Sequence, residues 1–123
     1  MPKIIHDAAD IVLKNVVEAM QDKKAKNIVS LDLKNISNAV TDYFVICDAP
    51  SKIQVNAIYE NVVEFVKKNC GITPNNIEGV TNSEWILIDY FDLVVHIFDE
   101  KTRAFYKLEE LWDDAPKTVY KID

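Results

Sequence analysis

The residues from Glu84 to Phe98 are mostly apolar, with polar groups on one face, and they predict a pair of strands joined by a tight turn. A two-residue turn at Phe91 and Asp92 would produce the pairs Tyr90 with Leu93, Ile88 with Val95, and Ile86 with Ile97. These residues form a wholly apolar face. The opposite face then carries Trp85, Leu87, Asp89, Val94, His96 and Phe98. This second face mixes polar groups with apolar ones. It is therefore either a buried core whose polar groups are hydrogen-bonded or a functional site.

The same patterns predict the other elements of the chain. Helical spacing of apolar residues indicates a helix from Asp7 to about Lys24 and another after Ser51, where Ser51 and Gln54 have the spacing of a capping box. Runs rich in β-branched and aromatic residues predict strands at Asn27–Leu33 and Asp42–Cys47, with a short strand near Ile77–Val80. One or two helical turns are expected between Ala104 and Trp112.

This order of elements predicts an α/β fold. We expect a single domain spanning residues 1–123, with a mixed β-sheet and helices packed mainly on one face. The chain has two glycines and four prolines, which argues against long flexible linkers.

Charge restricts the choice of partner. The net charge is -6, and Arg103 is the only arginine among 14 basic residues, so little direct binding to nucleic acid is expected. An acidic protein of this kind is better suited to bind a basic protein than to bind nucleic acid. The sequence has no apolar run long enough for a membrane helix and no apolar segment typical of a signal peptide at its start, so we expect no membrane partner and a cytoplasmic protein.

Several catalytic arrangements are missing from the sequence. Two-metal nucleotidyl transfer usually requires carboxylates on alternate positions of a strand, yet no two acidic residues are separated by one residue. Gly71 and Gly79 are the only glycines, too few for a glycine-rich phosphate loop. No Cys/His metal spacing occurs. We therefore predict no catalytic residues, no metal and no cofactor.

Four polar or aromatic groups of the hairpin have competing interpretations. Asp89 lies diagonal to His96, so the two could form an acid/base dyad or a structural hydrogen bond across the hairpin. Trp85 belongs either to the core or to an interface, while Tyr90 is expected to be exposed at the hairpin end. Tryptophan and tyrosine dominate the energetics of docking surfaces.

Four blocks in order along the chain resemble the ribosomal silencing factor family, also called the Iojap-like or RsfS family. They are Asp42-Tyr43-Phe44-Val45-Ile46, Ser51-x-x-Gln54, Glu84-Trp85-x-x-x-Asp89-Tyr90-x-Asp92-x-Val94-x-His96-x-Phe98 and Arg103-x-x-Tyr106-x-Leu108-Glu109-x-Leu111-Trp112. The resemblance covers about residues 6–116. The family usually has glycine at the position of Phe91.

The resemblance implies a nucleotidyltransferase-like fold without the catalytic carboxylates, and a non-enzymatic factor that is often dimeric. It also implies binding to the L-fourteen-type protein of the large ribosomal subunit, hindered joining of the small subunit and lower translation under nutrient limitation. Trp85 and Tyr90 match the family's partner-contacting residues. Asp89, Phe91 and Asp92, in the adjoining acidic turn, complete the expected partner-binding site.

We therefore expect a translation repressor that acts by steric blockade of the large subunit. Two alternatives remain open: an assembly factor for the large subunit, and a nucleotide-binding or nucleotidyltransferase-like enzyme.

Overall fold

The computed structural model describes the backbone of residues 2–121 and the side chains of residues 9–121. Its elements are, in chain order, α1 (Pro2–Asp22), β1 (Lys26–Asp32), β2 (Tyr43–Ala49), α2 (Lys52–Cys70), β3 (Asn76–Glu78), β4 (Trp85–Asp89), β5 (Leu93–Asp99), α3 (Glu100–Tyr106), α4 (Leu108–Leu111) and β6 (Lys117–Val119).

The six strands form one mixed sheet in the order β3-β4-β5-β2-β1-β6. β2 and β5 are parallel neighbours near its centre, whereas the other neighbouring pairs are antiparallel. The chain runs from β2 to β5 through α2, β3 and β4, so a helix covers the sheet between the two parallel strands. The predicted α/β fold with a mixed sheet is confirmed.

The two long helices pack together on one face of the sheet and enclose the main core. α2 begins where the capping pattern predicts, because the Ser51 hydroxyl accepts a hydrogen bond of 3.2 Å from the backbone N–H of Gln54. It ends at Gly71, whose φ of 69° is the left-handed conformation that glycine adopts without strain. Buried branched residues of α2 then face the sheet: Val55, Ile58, Val62 and Val66.

The short helices lie on the opposite face. Leu108 and Ala115 pack there against Leu31, Ile46 and Phe98 and form a second, smaller core. The long helices therefore follow the prediction of helices mainly on one face, while α3 and α4 cover part of the other.

The hairpin of β4 and β5 has the predicted register. Ile88 pairs with Val95 and Ile86 with Ile97, and the backbone N–H of Tyr90 donates to the carbonyl of Leu93 at 2.8 Å. Successive side chains of a strand point to opposite faces of the sheet, so this register fixes the face on which each side chain lies. The strand positions of the mixed face, from Trp85 to Asp89, therefore point away from α1 and α2.

Two parts of the fold differ from the sequence prediction. α1 begins at Pro2, five residues before the predicted start, and proline is favoured at the first position of a helix because its missing N–H has no helical partner there. β6 was not predicted. It has three residues, and it pairs with residues 29–31 of β1, which are distant from it in the sequence.

Candidate functional site

The outward face of β4 presents a row of partly exposed side chains. Trp85, Leu87 and Asp89 occupy alternate positions of this strand and are each half-buried. The row continues to the turn, where Phe91 is 68% exposed and Asp92 is also exposed. We call these five residues the β4 strip. Trp85 stands at one end, and Phe91 lies at the turn beside the two acidic residues, Asp89 and Asp92.

The indole of Trp85 is held by aromatic and polar contacts. It stacks on Phe98 with ring centroids 4.8 Å apart, and the ring of Tyr106 from α3 lies 5.0 Å away. Its Nε1–H donates a hydrogen bond of 3.0 Å to Nδ1 of His96. Trp85 is therefore part of an aromatic cluster and still presents part of its surface to solvent.

A close backbone approach fixes the start of β4. Gly79 has a φ of 87°, and a Cβ built on it would lie 2.0 Å from the backbone oxygen of Trp85. Only glycine fits this position, because both the conformation and the space exclude a side chain. Gly79 thus sets where Trp85 enters the sheet.

The turn at Phe91 is tight and is closed without glycine. Phe91 has a φ of 75°, and the N–H of Asp92 donates to the carbonyl of Tyr90 at 3.0 Å, as in a three-residue γ-turn. Positive φ is strained for a bulky residue. Neighbouring groups hold the turn: the Asp89 carboxylate accepts from the Phe91 N–H at 2.9 Å, and the Thr41 hydroxyl donates to the Phe91 carbonyl at 3.1 Å.

The expectation that Tyr90 is exposed is wrong. Tyr90 is 6% exposed and belongs to the core beneath the long helices. The strand period gives the reason, since Tyr90 shares the parity of Ile86 and Ile88 and therefore points to the helix-covered face. Burial raises the pKa of its phenol, and its hydroxyl is buried without a hydrogen-bond partner among the described residues.

Asp89 and His96 do not form a dyad. The register places Asp89 opposite Val94 and His96 opposite Leu87, so the predicted diagonal relation exists. Between residues 9 and 121, however, no hydrogen bond joins the two side chains: Asp89 bonds the Phe91 N–H, and His96 bonds Trp85. Burial lowers the pKa of His96 to about 3, so its imidazole is neutral at physiological pH.

A buried ionic cluster, which the sequence interpretation missed, fastens α3 and α4 to the sheet. Arg103 donates to Asp48 at 3.2 Å, to the carbonyl of Asn27 at 2.6 Å, and to both carboxylate oxygens of Glu109 at 3.1 and 2.8 Å. The hydrogen bonds from Arg103 lower the pKa of Glu109, whereas burial raises the pKa of Asp48 despite the same guanidinium. The sole arginine of an otherwise lysine-rich chain was the available signal.

Among the described residues, no three His, Cys, Asp or Glu side chains are grouped as ligands for a metal ion. No helix in the described part of the chain is long and apolar enough to span a membrane.

The family described as "ribosomal silencing factor during starvation" matches residues 6–123. The ribosomal silencing factor RsfS of Bacillus subtilis is 42% identical over 105 residues, which is 85% of this chain and 87% of that protein. A crystal structure from Chromobacterium violaceum superposes with a TM-score of 0.80 at 30% identity and covers 85% of each chain.

A more distant relative comes from mouse. The protein named mitochondrial assembly of ribosomal large subunit protein 1 is 28% identical over 109 residues, which is 87% of this chain but 47% of the mouse protein. The family match, the bacterial relatives and the superposed fold agree, and this chain belongs to the ribosomal silencing factor (RsfS) family, which also includes the Iojap-like proteins.

Proposed function

We propose that this protein binds the L-fourteen-type protein of the large ribosomal subunit through the β4 strip and thereby blocks joining of the small subunit in the cytoplasm. Occupation of the intersubunit surface lowers translation under nutrient limitation. The protein acts as a steric obstacle, and no chemical step is required of it.

The observation that carries this proposal is the composition and exposure of the β4 strip. Trp85 is half-buried, and Phe91 remains 68% exposed although its backbone is strained. Strain of this kind persists where surrounding structure enforces it, and it is concentrated at functional sites. Partly exposed aromatic residues beside Asp89 and Asp92 suit a partner that is both apolar and basic.

Tyr90 takes a different part in this proposal than Trp85. Because Tyr90 is buried, it supports the hairpin from the helix side and does not itself supply contact area. Substitution of Tyr90 would therefore weaken binding indirectly, because it would disturb the packing that supports the hairpin. We assign partner contact to Trp85, Asp89, Phe91 and Asp92.

The size of the molecule is sufficient for this function. A standard interface buries about 800 Å² on each partner. The described residues expose 7409 Å², so such an interface would occupy only about a tenth of that surface. One sheet face, centred on the β4 strip, can supply this area.

The direct test measures binding and subunit joining with a Trp85→Ala variant. We expect wild-type protein to sediment with purified large subunits and to reduce their joining to small subunits in a sucrose gradient. Trp85→Ala should weaken binding by thirtyfold or more, as roughly 2 kcal/mol for an aromatic anchor implies. Ile53→Ala is the matched control, since Ile53 is 85% exposed on α2 and lies on the helix side.

Folding has to be checked first, because truncation of a packed tryptophan also lowers stability. Variants are compared by urea denaturation, and binding is measured only where the protein remains folded. If folded Trp85→Ala binds large subunits as wild type does, the assigned surface is wrong.

Assembly of the large subunit is the second candidate function, which the name of the mouse relative favours. The same docking surface serves both functions. Saturating wild-type protein that leaves subunit joining unchanged would favour assembly. In that case, depletion of the protein should lead to accumulation of incomplete large subunits.

We expect no saturable binding of ATP or GTP with Mg²⁺ in calorimetry at micromolar concentrations, and weak binding of free RNA because the net charge is -6. Homodimer formation, which the family resemblance implies, is tested by sedimentation equilibrium of the purified chain.

A further inference from the structure

The buried imidazole of His96 has a single hydrogen-bond partner among the described residues. His96 is 3% exposed in the middle of β5, and its Nδ1 lies 3.0 Å from Nε1 of Trp85. Indole nitrogen can only donate, so Nδ1 has to accept. The neutral ring therefore carries its hydrogen on Nε2.

The other ring nitrogen has no polar partner in the described structure. Nε2 of His96 is buried and unpaired. Leaving a buried N–H unpaired is unfavourable, and an apolar ring of similar shape would avoid that cost. Core packing alone thus does not account for a histidine here. The bond to Trp85 is the one interaction that an apolar residue would lose.

The contacts of Trp85 show what this bond contributes. Phe98 stacks on the indole and Tyr106 lies against it, but stacking alone does not distinguish the two orientations of the ring that differ by a half-turn. The hydrogen bond to Nδ1 does distinguish them, because it is made from one edge of the indole. It therefore determines which edge of Trp85 faces the solvent.

Asp89 does not compete for the imidazole. It lies on the same face and diagonal to His96, yet its carboxylate accepts the Phe91 N–H at 2.9 Å. Burial also keeps His96 neutral, since it lowers the pKa to about 3, so Nδ1 remains an acceptor at neutral pH. The two polar groups of this face therefore act separately, because Asp89 holds the turn and His96 holds Trp85.

We propose that His96 is a positioning residue that fixes the orientation of the Trp85 indole for docking to the ribosomal protein. This inference rests on the proposed function and assigns His96 no contact with the partner. It predicts that loss of the acceptor weakens docking while the fold is retained.

Two variants separate the acceptor from the shape of the ring. His96→Phe keeps a planar ring and removes the acceptor, whereas His96→Asn places an amide oxygen near the position of Nδ1. We expect His96→Phe to remain folded in urea denaturation and to bind large subunits about tenfold more weakly, as loss of one orienting bond implies. The measured affinity of His96→Asn, once corrected for the fraction of that variant that is folded, should be close to that of wild type.

A double-mutant cycle provides a measurement that a purely structural role would not change. Trp85→Phe removes the donor and retains an aromatic ring. In that background, His96→Phe should have no further effect on binding, because the bond that it removes is already absent. An equal loss in both backgrounds would overturn the proposal.

Spectroscopy of the wild-type protein tests the inference independently of whether any variant folds. Nitrogen-15 spectra should show His96 with its hydrogen on Nε2 and a slowly exchanging indole N–H of Trp85. A hydrogen on Nδ1 would overturn the proposal.

The two hypotheses fail in different ways. If folded Trp85→Ala binds large subunits normally, the proposed function has the wrong surface. If Trp85→Ala weakens binding but folded His96→Phe binds like wild type, the surface is right and the role of His96 is wrong.

Discussion

The guanidinium of Arg103 forms an ion pair of 3.2 Å with Asp48, and both side chains are almost completely buried. The two residues lie 55 positions apart in sequence and join α3 to the central strand β2. Glu109 completes the cluster at 2.8 Å. Since α3 carries Tyr106, which lies against Trp85, this cluster also supports one end of the β4 strip.

Removal of the guanidinium should strongly destabilise the protein. Arg103→Ala leaves Asp48 buried without its cation, and loss of one partner of a buried pair typically costs about 3–5 kcal/mol. We expect a decrease of this size in the free energy of unfolding, measured by urea denaturation. Lys101→Ala, on the exposed side of the same helix, is the control and should change stability by less than about 0.5 kcal/mol. Equal effects of the two substitutions would contradict the structural role of the cluster.

Substitution of Phe91 should separate stability from binding. Phe91→Gly relieves the positive φ of 75° and should raise the free energy of unfolding by up to about 1 kcal/mol. It also removes an exposed ring from the β4 strip, so binding to large subunits should weaken. Thermal or urea denaturation and sedimentation with large subunits measure the two quantities.

Phe91→Ala is the matched control for this prediction. Alanine removes the same ring but keeps a Cβ in the strained conformation. The two variants should therefore lose similar affinity, while only glycine gains stability. A lower stability for Phe91→Gly than for Phe91→Ala would show that the turn is not strained at this position.

The register of the hairpin could be predicted from the sequence, but the exposure of Tyr90 could not. Its register follows from alternation between Ile86 and Ile97, because a shift by one residue would expose the whole apolar face. The same alternation placed Tyr90 on that apolar face, yet its exposure depends on how far the long helices extend over the hairpin end. That extent is a property of the packed structure and cannot be read from the strand itself.

The predicted pairing of His96 with Asp89 was wrong for a related reason. Trp85 and Asp89 are both diagonal to His96 in the same register, so spacing alone favours neither. The choice follows from the backbone of the turn, whose N–H at Phe91 engages the carboxylate of Asp89. Likewise, the cluster of Arg103 joins distant segments, and no local pattern indicates such a contact.

The two cysteines should differ in reactivity. Cys47 is fully buried in β2, and burial raises the pKa of its thiol, whereas Cys70 is half-buried near the end of α2. The thiolate is the reactive species of a cysteine. Cys70 should therefore react slowly in the native protein, whereas Cys47 should react only after unfolding. Titration with a chromogenic thiol reagent, with and without denaturant, counts them. Cys70→Ser should abolish the native-state reaction, and two equally reactive native thiols would contradict the burial of Cys47.

Charge at the turn should control the rate of association with the ribosome. Asp92 is exposed, and its replacement by asparagine removes one negative charge facing the proposed basic partner. We expect slower association at low ionic strength and a smaller change in dissociation, measured by stopped-flow or surface-based kinetics. The control is Glu60→Gln on the exposed side of α2, which makes the same change in net charge. If both variants associate equally slowly, net charge and not the β4 strip governs the encounter.

Stability should fall on mild acidification because of His96. Its pKa is lowered from 6.5 to about 3 by burial, so below about pH 6.5 the unfolded chain binds a proton that the native state does not bind. The free energy of unfolding therefore decreases as pH falls through this window, by about 2 kcal/mol between pH 7 and pH 5 from this group. Urea denaturation at both pH values measures the loss. His96→Phe lacks the titrating group and should show a correspondingly smaller loss, with any other acid-dependent groups cancelling in the comparison. An identical loss in wild type and His96→Phe would mean that His96 takes up its proton in the folded protein, and the buried neutral imidazole would then be wrong.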